Sequence, residues 1–164
     1  MSRRTYIYDI DTHKLTKGPP LSLPRRNHSS CVIPSEDGTP QYVILIGGYD
    51  DIEFEHYDEL IDGFYTDTTD ILNIKDGKWI LGPKLPYNIR GAECVALPPT
   101  MKYSCVVIGG STSIPYQLPN STGDWKQEIV YRSDVYGLNR SLTNWEFLGT
   151  MMKKRCDHIA LPLS

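Results

Sequence analysis

The residues of this chain with the most evident chemical capacity are four cysteines, four histidines and one dense run of carboxylates. Thiolates and imidazoles hold soft metal ions or act as nucleophiles, but only in particular arrangements. Cys31, Cys94, Cys105 and Cys156 include no pair at the short spacing of a zinc-binding motif. They are expected to be reduced and mostly buried thiols rather than a disulfide framework. His13, His28, His56 and His158 are scattered, and no His-Glu-x-x-His pair, Gly-x-Ser-x-Gly elbow or Gly-Lys-Ser/Thr phosphate loop occurs. The expectation is therefore a chain that is not an enzyme and uses no metal and no cofactor.

The carboxylates are concentrated. Residues 49–67 contain Asp50, Asp51, Glu53, Glu55, Asp58, Glu59, Asp62 and Asp67 with no Lys or Arg, so that segment carries −8 while the rest of the chain carries +5. A calcium loop needs carboxylates at alternating positions, which Asp58-Glu59-Leu60-Ile61-Asp62-Gly63 does not supply. The remaining readings are a solvated loop or a docking site for a basic segment. A second insertion, 111–131, holds Ile114, Tyr116, Leu118 and Trp125, which serve either as binding anchors or as a local lid. Arg25, Arg90 and Arg155 recur at equal spacings of 65 residues. Guanidiniums can grip acidic side chains in bidentate fashion, or they can tie loop carbonyls and fix the fold.

These residues sit in a chain of short strand-like runs separated by turn residues. Tyr6–Ile10, Ser30–Ile33, Gln41–Ile46, Thr69–Ile74, Lys78–Leu81, Cys94–Leu97, Tyr103–Ile108, Ser133–Leu138, Trp145–Leu148 and His158–Leu161 read as strands. Tyr57, Leu60, Ile61 and Phe64 carry the one helical spacing, enough for a turn or two. The runs repeat in register. Each repeat has an arginine, a short apolar run ending at Pro34, Pro98 or Pro162, and then an apolar strand closed by a glycine pair. Those pairs are Gly47-Gly48 and Gly109-Gly110. A long insertion and a third strand follow, and a fourth strand opens with Trp79 or Trp145.

This order resembles the kelch repeat, which has a glycine pair closing its second strand and a tryptophan on its fourth. The resemblance covers nearly the whole chain. It departs in length, since repeats of about 65 residues exceed the roughly 50 of kelch, and in Leu15, which stands where an earlier tryptophan would be. What the resemblance implies is an all-β fold, part of a β-propeller. Residues 1–27 would end one blade, 28–91 and 92–157 would form two full repeats, and 158–164 would begin another. Two complete four-stranded antiparallel blades are expected at about 28–82 and 92–148. In such a propeller the long segments 49–67 and 111–131 share a face with the connections 18–27, 82–91 and 149–157.

Kelch proteins of this kind bind protein or peptide partners on that face, some as substrate-recognition adaptors of ubiquitin ligases, so the resemblance implies a binding module. An actin-associated scaffold and an enzyme built on a propeller are the alternatives. The expected partner residues are Arg25, Arg90, Arg155, Asp50, Asp51, Glu53, Glu55, Tyr116 and Trp125. Gly47, Gly48, Gly109, Gly110, Trp79 and Trp145 are expected to be structural. A net charge of −3 argues against nucleic acid as a partner. The absence of a long apolar run argues against a helical membrane span, and the start of the chain does not resemble a signal peptide, which makes a cytoplasmic or nuclear setting the expectation. An open arc of blades would leave apolar faces unpaired and favour self-association.

Overall fold

The computed structural model describes residues 3–50, 64–117 and 125–162. It is all-β, with no helix among the described residues. The strands are β1 (Tyr6–Asp9), β2 (Lys14–Lys17), β3 (Ser29–Pro34), β4 (Pro40–Ile46), β5 (Tyr49–Asp50), β6 (Phe64–Tyr65) and β7 (Thr69–Asn73), followed by β8 (Lys78–Leu81), β9 (Glu93–Ala96), β10 (Tyr103–Ile108), β11 (Ser111–Gln117), β12 (Trp125–Tyr131), β13 (Asp134–Asn139) and β14 (Trp145–Thr150). Two four-stranded antiparallel sheets, β3-β4-β7-β8 and β9-β10-β13-β14, have the same order. Three hairpins accompany them, β1-β2, β5-β6 and β11-β12. The two large sheets span 29–81 and 93–150, close to the expected limits.

The sequence dictates why these are sheets packed face to face. The central strands read Val-Ile-Leu-Ile and Cys-Val-Val-Ile without alternation, as strands covered on both sides do. Alternate residues then divide between two faces. Cys31, Ile33, Ile44, Ile46 and Ile71 point from the first sheet toward the second, which answers with Cys94, Cys105, Val107, Leu138 and Trp145. Leu85, Ile89 and Ala92 from the connection between the sheets complete this core.

The tryptophans fasten successive units. Trp145 donates from Nε1 to the carbonyl of Pro83 at 3.1 Å and to Thr69 Oγ1 at 3.3 Å. Trp79 donates from Nε1 to the carbonyl of Pro19 at 3.0 Å, so it makes the same contact one unit earlier. Leu15 pairs with Tyr8 as Trp79 pairs with Leu72. The hairpin β1-β2 therefore has the same cross-strand pairing at this position as β7-β8.

The glycine pairs mark close backbone crossings. All four residues have positive φ, from 63° to 98°. A Cβ on Gly47 would lie 2.2 Å from the Ile89 carbonyl oxygen, and one on Gly48 would lie 2.6 Å from that of Arg26. On Gly110 it would lie 2.8 Å from the Arg90 oxygen. Only glycine satisfies both the backbone angle and the space.

Three features differ from the sequence reading. The insertion after Gly110 is not a loop throughout, because Ser111–Gln117 and Trp125–Tyr131 form a seven-residue ladder. Its alternation was obscured because apolar residues are exposed on both of its faces. Tyr49 and Asp50 likewise pair with Tyr65 and Phe64. His158–Leu161 forms no strand. Of the four residues with helical spacing, Tyr57, Leu60 and Ile61 fall outside the described residues, and Phe64 belongs to β6 instead of a helical turn.

Candidate functional site

Among the described residues, two places bring chemically capable side chains together: the end of the sheets that bears the hairpins β5-β6 and β11-β12, and the interface between the two large sheets.

At the hairpin end, backbone pairs join each connection to the strand after the glycine pair. Arg26 bridges Tyr49, and Arg90 bridges Ser111. Asn88 adds side-chain bonds, accepting at Oδ1 from Thr112 Oγ1 at 2.5 Å and donating from Nδ2 to the Ser113 carbonyl at 3.2 Å. The connections and hairpins therefore form one continuous surface.

The arginines in this region are not equivalent. Arg25 is enclosed: it pairs with Asp70 at 3.0 Å, and both side chains are fully buried. It also donates to the Gly47 carbonyl at 3.0 Å, the Thr68 carbonyl at 3.2 Å and Thr68 Oγ1 at 2.9 Å, while Ser22 donates to the other Asp70 oxygen. Arg90 instead lies over two rings, with its guanidinium carbon 4.8 Å from the Tyr49 centroid and 5.0 Å from that of Tyr65. Arg26 sits over Tyr49 from elsewhere, at 5.0 Å. Arg155 is exposed. The Tyr65 phenol is pushed well above its ordinary pKa, chiefly by burial and then by its bond with Tyr49. It is a neutral ring for the cation, not a proton donor at work.

The backbone register explains the difference. Gly48 N–H donates to the Ile89 carbonyl and Gly110 N–H to that of Arg155, both at 2.7 Å. Tyr49 and Ser111 make equivalent bonds to Arg26 and Arg90. Asn27, Gly91 and Asp157 share positive φ, at 52°, 57° and 52°. Arg25 and Arg155 therefore occupy the place of Ile89, and Arg90 occupies the place of Arg26. The equal 65-residue spacing combines one unit of 64 residues with one of 66.

Beyond Arg90 the surface continues to Tyr87, Arg132 and Asp134. Arg132 lies 3.9 Å over the Tyr87 ring and 2.9 Å from Asp134, to which the Tyr87 hydroxyl donates at 3.0 Å. Burial raises the Tyr87 pKa, and the Asp134 charge raises it further against the opposing effect of Arg132. On the β11-β12 hairpin, Ile114 and Tyr116 are exposed on one face and Ile129 and Tyr131 on the other. Trp125 is placed by its backbone opposite Gln117. Asp50 is placed by its pairing with Phe64, whereas Asp51, Glu53 and Glu55 lie outside the described residues.

At the second place, Cys31, Cys94 and Cys105 converge, their sulfurs all within 4.8 Å of one another. All four cysteines are free thiols. Cys31 belongs to the first sheet and the other two to the second. By the register above, Cys94 matches Ser30 rather than Cys31, and a one-residue offset turns a side chain to the opposite face. Cys31 thus points forward and Cys94 backward, into the same interface. Cys105 joins them because Cys94 pairs with Val107, two residues away on the same face. Hydrogen bonds from Cys105 and then Cys94 lower the Cys31 pKa to about 5. Burial in the apolar core raises Cys94, and the bond to Cys31 raises Cys105. Spacing along the chain conceals this cluster, since its members come from three strands.

No known protein family matches the chain, and no curated protein resembles it.

Proposed function

We propose that this chain is part of a kelch-type β-propeller and that its hairpin-bearing end binds a protein or peptide partner. The observation that carries the reading is the union of connections and hairpins into one surface that combines exposed apolar side chains with stacked guanidiniums. Ile114, Tyr116, Ile129 and Tyr131 project from a hairpin held by backbone pairing. Aromatic and arginine anchors of this kind carry much of the energy of protein interfaces. Repetition of sheet order, glycine crossing and tryptophan contact supports the propeller reading. Arg90 and Arg155 are the arginines suited to contact a partner, and Asp50 lies at the start of the acidic run. Arg25 is committed to Asp70.

A basic peptide segment followed by a carboxylate fits that distribution of charge. The test is selection of binding peptides from a displayed library on the immobilised chain. Titration of the selected peptides against variants follows. Tyr116→Ala, Arg155→Ala and the combined replacement of Asp50, Asp51, Glu53 and Glu55 by Ser are expected to weaken binding with little change in melting temperature. Rising salt is expected to weaken it too, because exposed charges are screened over about 10 Å at 0.1 M. Peptides that bind all these variants as they bind the wild type would place recognition elsewhere.

A further inference from the structure

We propose that Cys31, Cys94 and Cys105 form a trithiolate centre for one soft d10 metal ion, of the zinc and cadmium class, that clasps the two large sheets together. Three observations carry it. The sulfurs already lie within 4.8 Å of one another. Thiolates around a zinc ion at about 2.3 Å require mutual separations near 4 Å, so small side-chain adjustments suffice. The ligands come from both sides of an interface whose other members are apolar: Ile33, Ile44, Val107 and Leu138. A site of soft sulfur ligands without oxygen donors selects thiophilic ions over magnesium or calcium.

Charge and access are compatible with such an ion. Three thiolates and a divalent cation leave one negative charge. The Arg140 guanidinium acts electrostatically on Cys105 and is held in place by a bond from its Nε to the Met101 carbonyl at 2.9 Å. On binding, the thiol protons pass to solvent. Cys31 is only half-buried, which leaves one side of the ion for water or another fourth ligand.

The experiment titrates the reduced 164-residue chain with Cd²⁺ and follows thiolate-to-metal charge-transfer absorbance, with Zn²⁺ as a competitor. Saturation near one ion per chain is expected. Cys31→Ser, Cys94→Ala and Cys105→Ala should each weaken affinity by more than about tenfold, the loss that even outer partners of a metal site can cause. Cys156→Ser should leave affinity unchanged. Because the two buried variants can also disturb folding, a second readout uses the unaltered chain. One equivalent of Cd²⁺ should slow alkylation of Cys31 and raise the melting temperature, while Cys156 alkylates as before. Absence of a charge-transfer band at stoichiometric Cd²⁺, or equal affinity in Cys31→Ser, would overturn the proposal.

Discussion

The guanidinium of Arg25 and the carboxylate of Asp70 are sealed from water, so removing one leaves the other as an uncompensated buried charge. Arg25→Ala is expected to cost about 3–5 kcal/mol, read from urea unfolding. Replacing both residues together by Met and Leu should recover much of that loss, because the penalty lies in the unpaired charge rather than in the missing pair. Arg90→Ala should cost far less, since a stacked cation contributes about 0.5–2 kcal/mol. Asp37 gives a different test. It accepts bonds from Ser35 and from the Thr39 N–H and hydroxyl, which lower its pKa from 3.8 to about 2. A carboxylate with a depressed folded pKa adds stability above the unfolded value and loses it as pH falls through the folded one. The stability difference between wild type and Asp37→Asn should therefore be constant above about pH 5 and lose its pH-dependent part progressively down to about pH 1, as followed by denaturation at each pH.

Among the elements, the decisive contacts are the crossings between a strand end and the next connection. Gly48→Ala must place a Cβ 2.6 Å from a carbonyl oxygen at a φ of 98°. The left-handed backbone alone costs about 1–2 kcal/mol, and the overlap adds to it. Gly38→Ala meets nothing within 4 Å, although its φ of 85° is also positive. The difference in unfolding free energy between these two variants isolates the overlap. Trp145→Ala removes a buried ring and two hydrogen bonds that reach the preceding unit. A loss of about 3–5 kcal/mol is expected. Trp145→Phe should fall between wild type and Ala, because it keeps most of the apolar area but leaves the Pro83 carbonyl without its donor. Thermal melting of the three proteins orders them.

At the scale of the molecule, apolar side chains remain uncovered at both ends of the stack. Tyr6, Ile7, Tyr8 and Leu15 are exposed on β1-β2, and Ile159 and Leu161 are exposed beyond the second large sheet. Patches of this kind favour association. Sedimentation of the isolated chain should show a mean mass that rises with concentration. Replacement of Ile7 and Leu15 by Ser should reduce that rise. A concentration-independent monomer would show that these residues tolerate water without a partner. No described helix is long and apolar enough to cross a membrane.

Periodicity and punctuation determined much of this. The apolar runs, the glycine pairs, Trp79 and Trp145 located the strands and their repetition, because each follows from local chemistry: strand-forming side chains, positive φ and a ring that needs burial; the grouping into four-stranded sheets was what the kelch resemblance implied. The sequence did not distinguish Arg25 from Arg90. Both stand before a strand at equal spacing, and only the backbone register separates a buried ion pair from a stacked cation. It did not show that Ser111–Gln117 would pair with Trp125–Tyr131, since the residues buried at its base are polar and apolar residues are exposed on both faces. Above all, it did not join Cys31 to Cys94 and Cys105. A one-residue offset between two repeats decides which face a side chain takes. Only the packing of one sheet on the next makes those opposed faces a single interface.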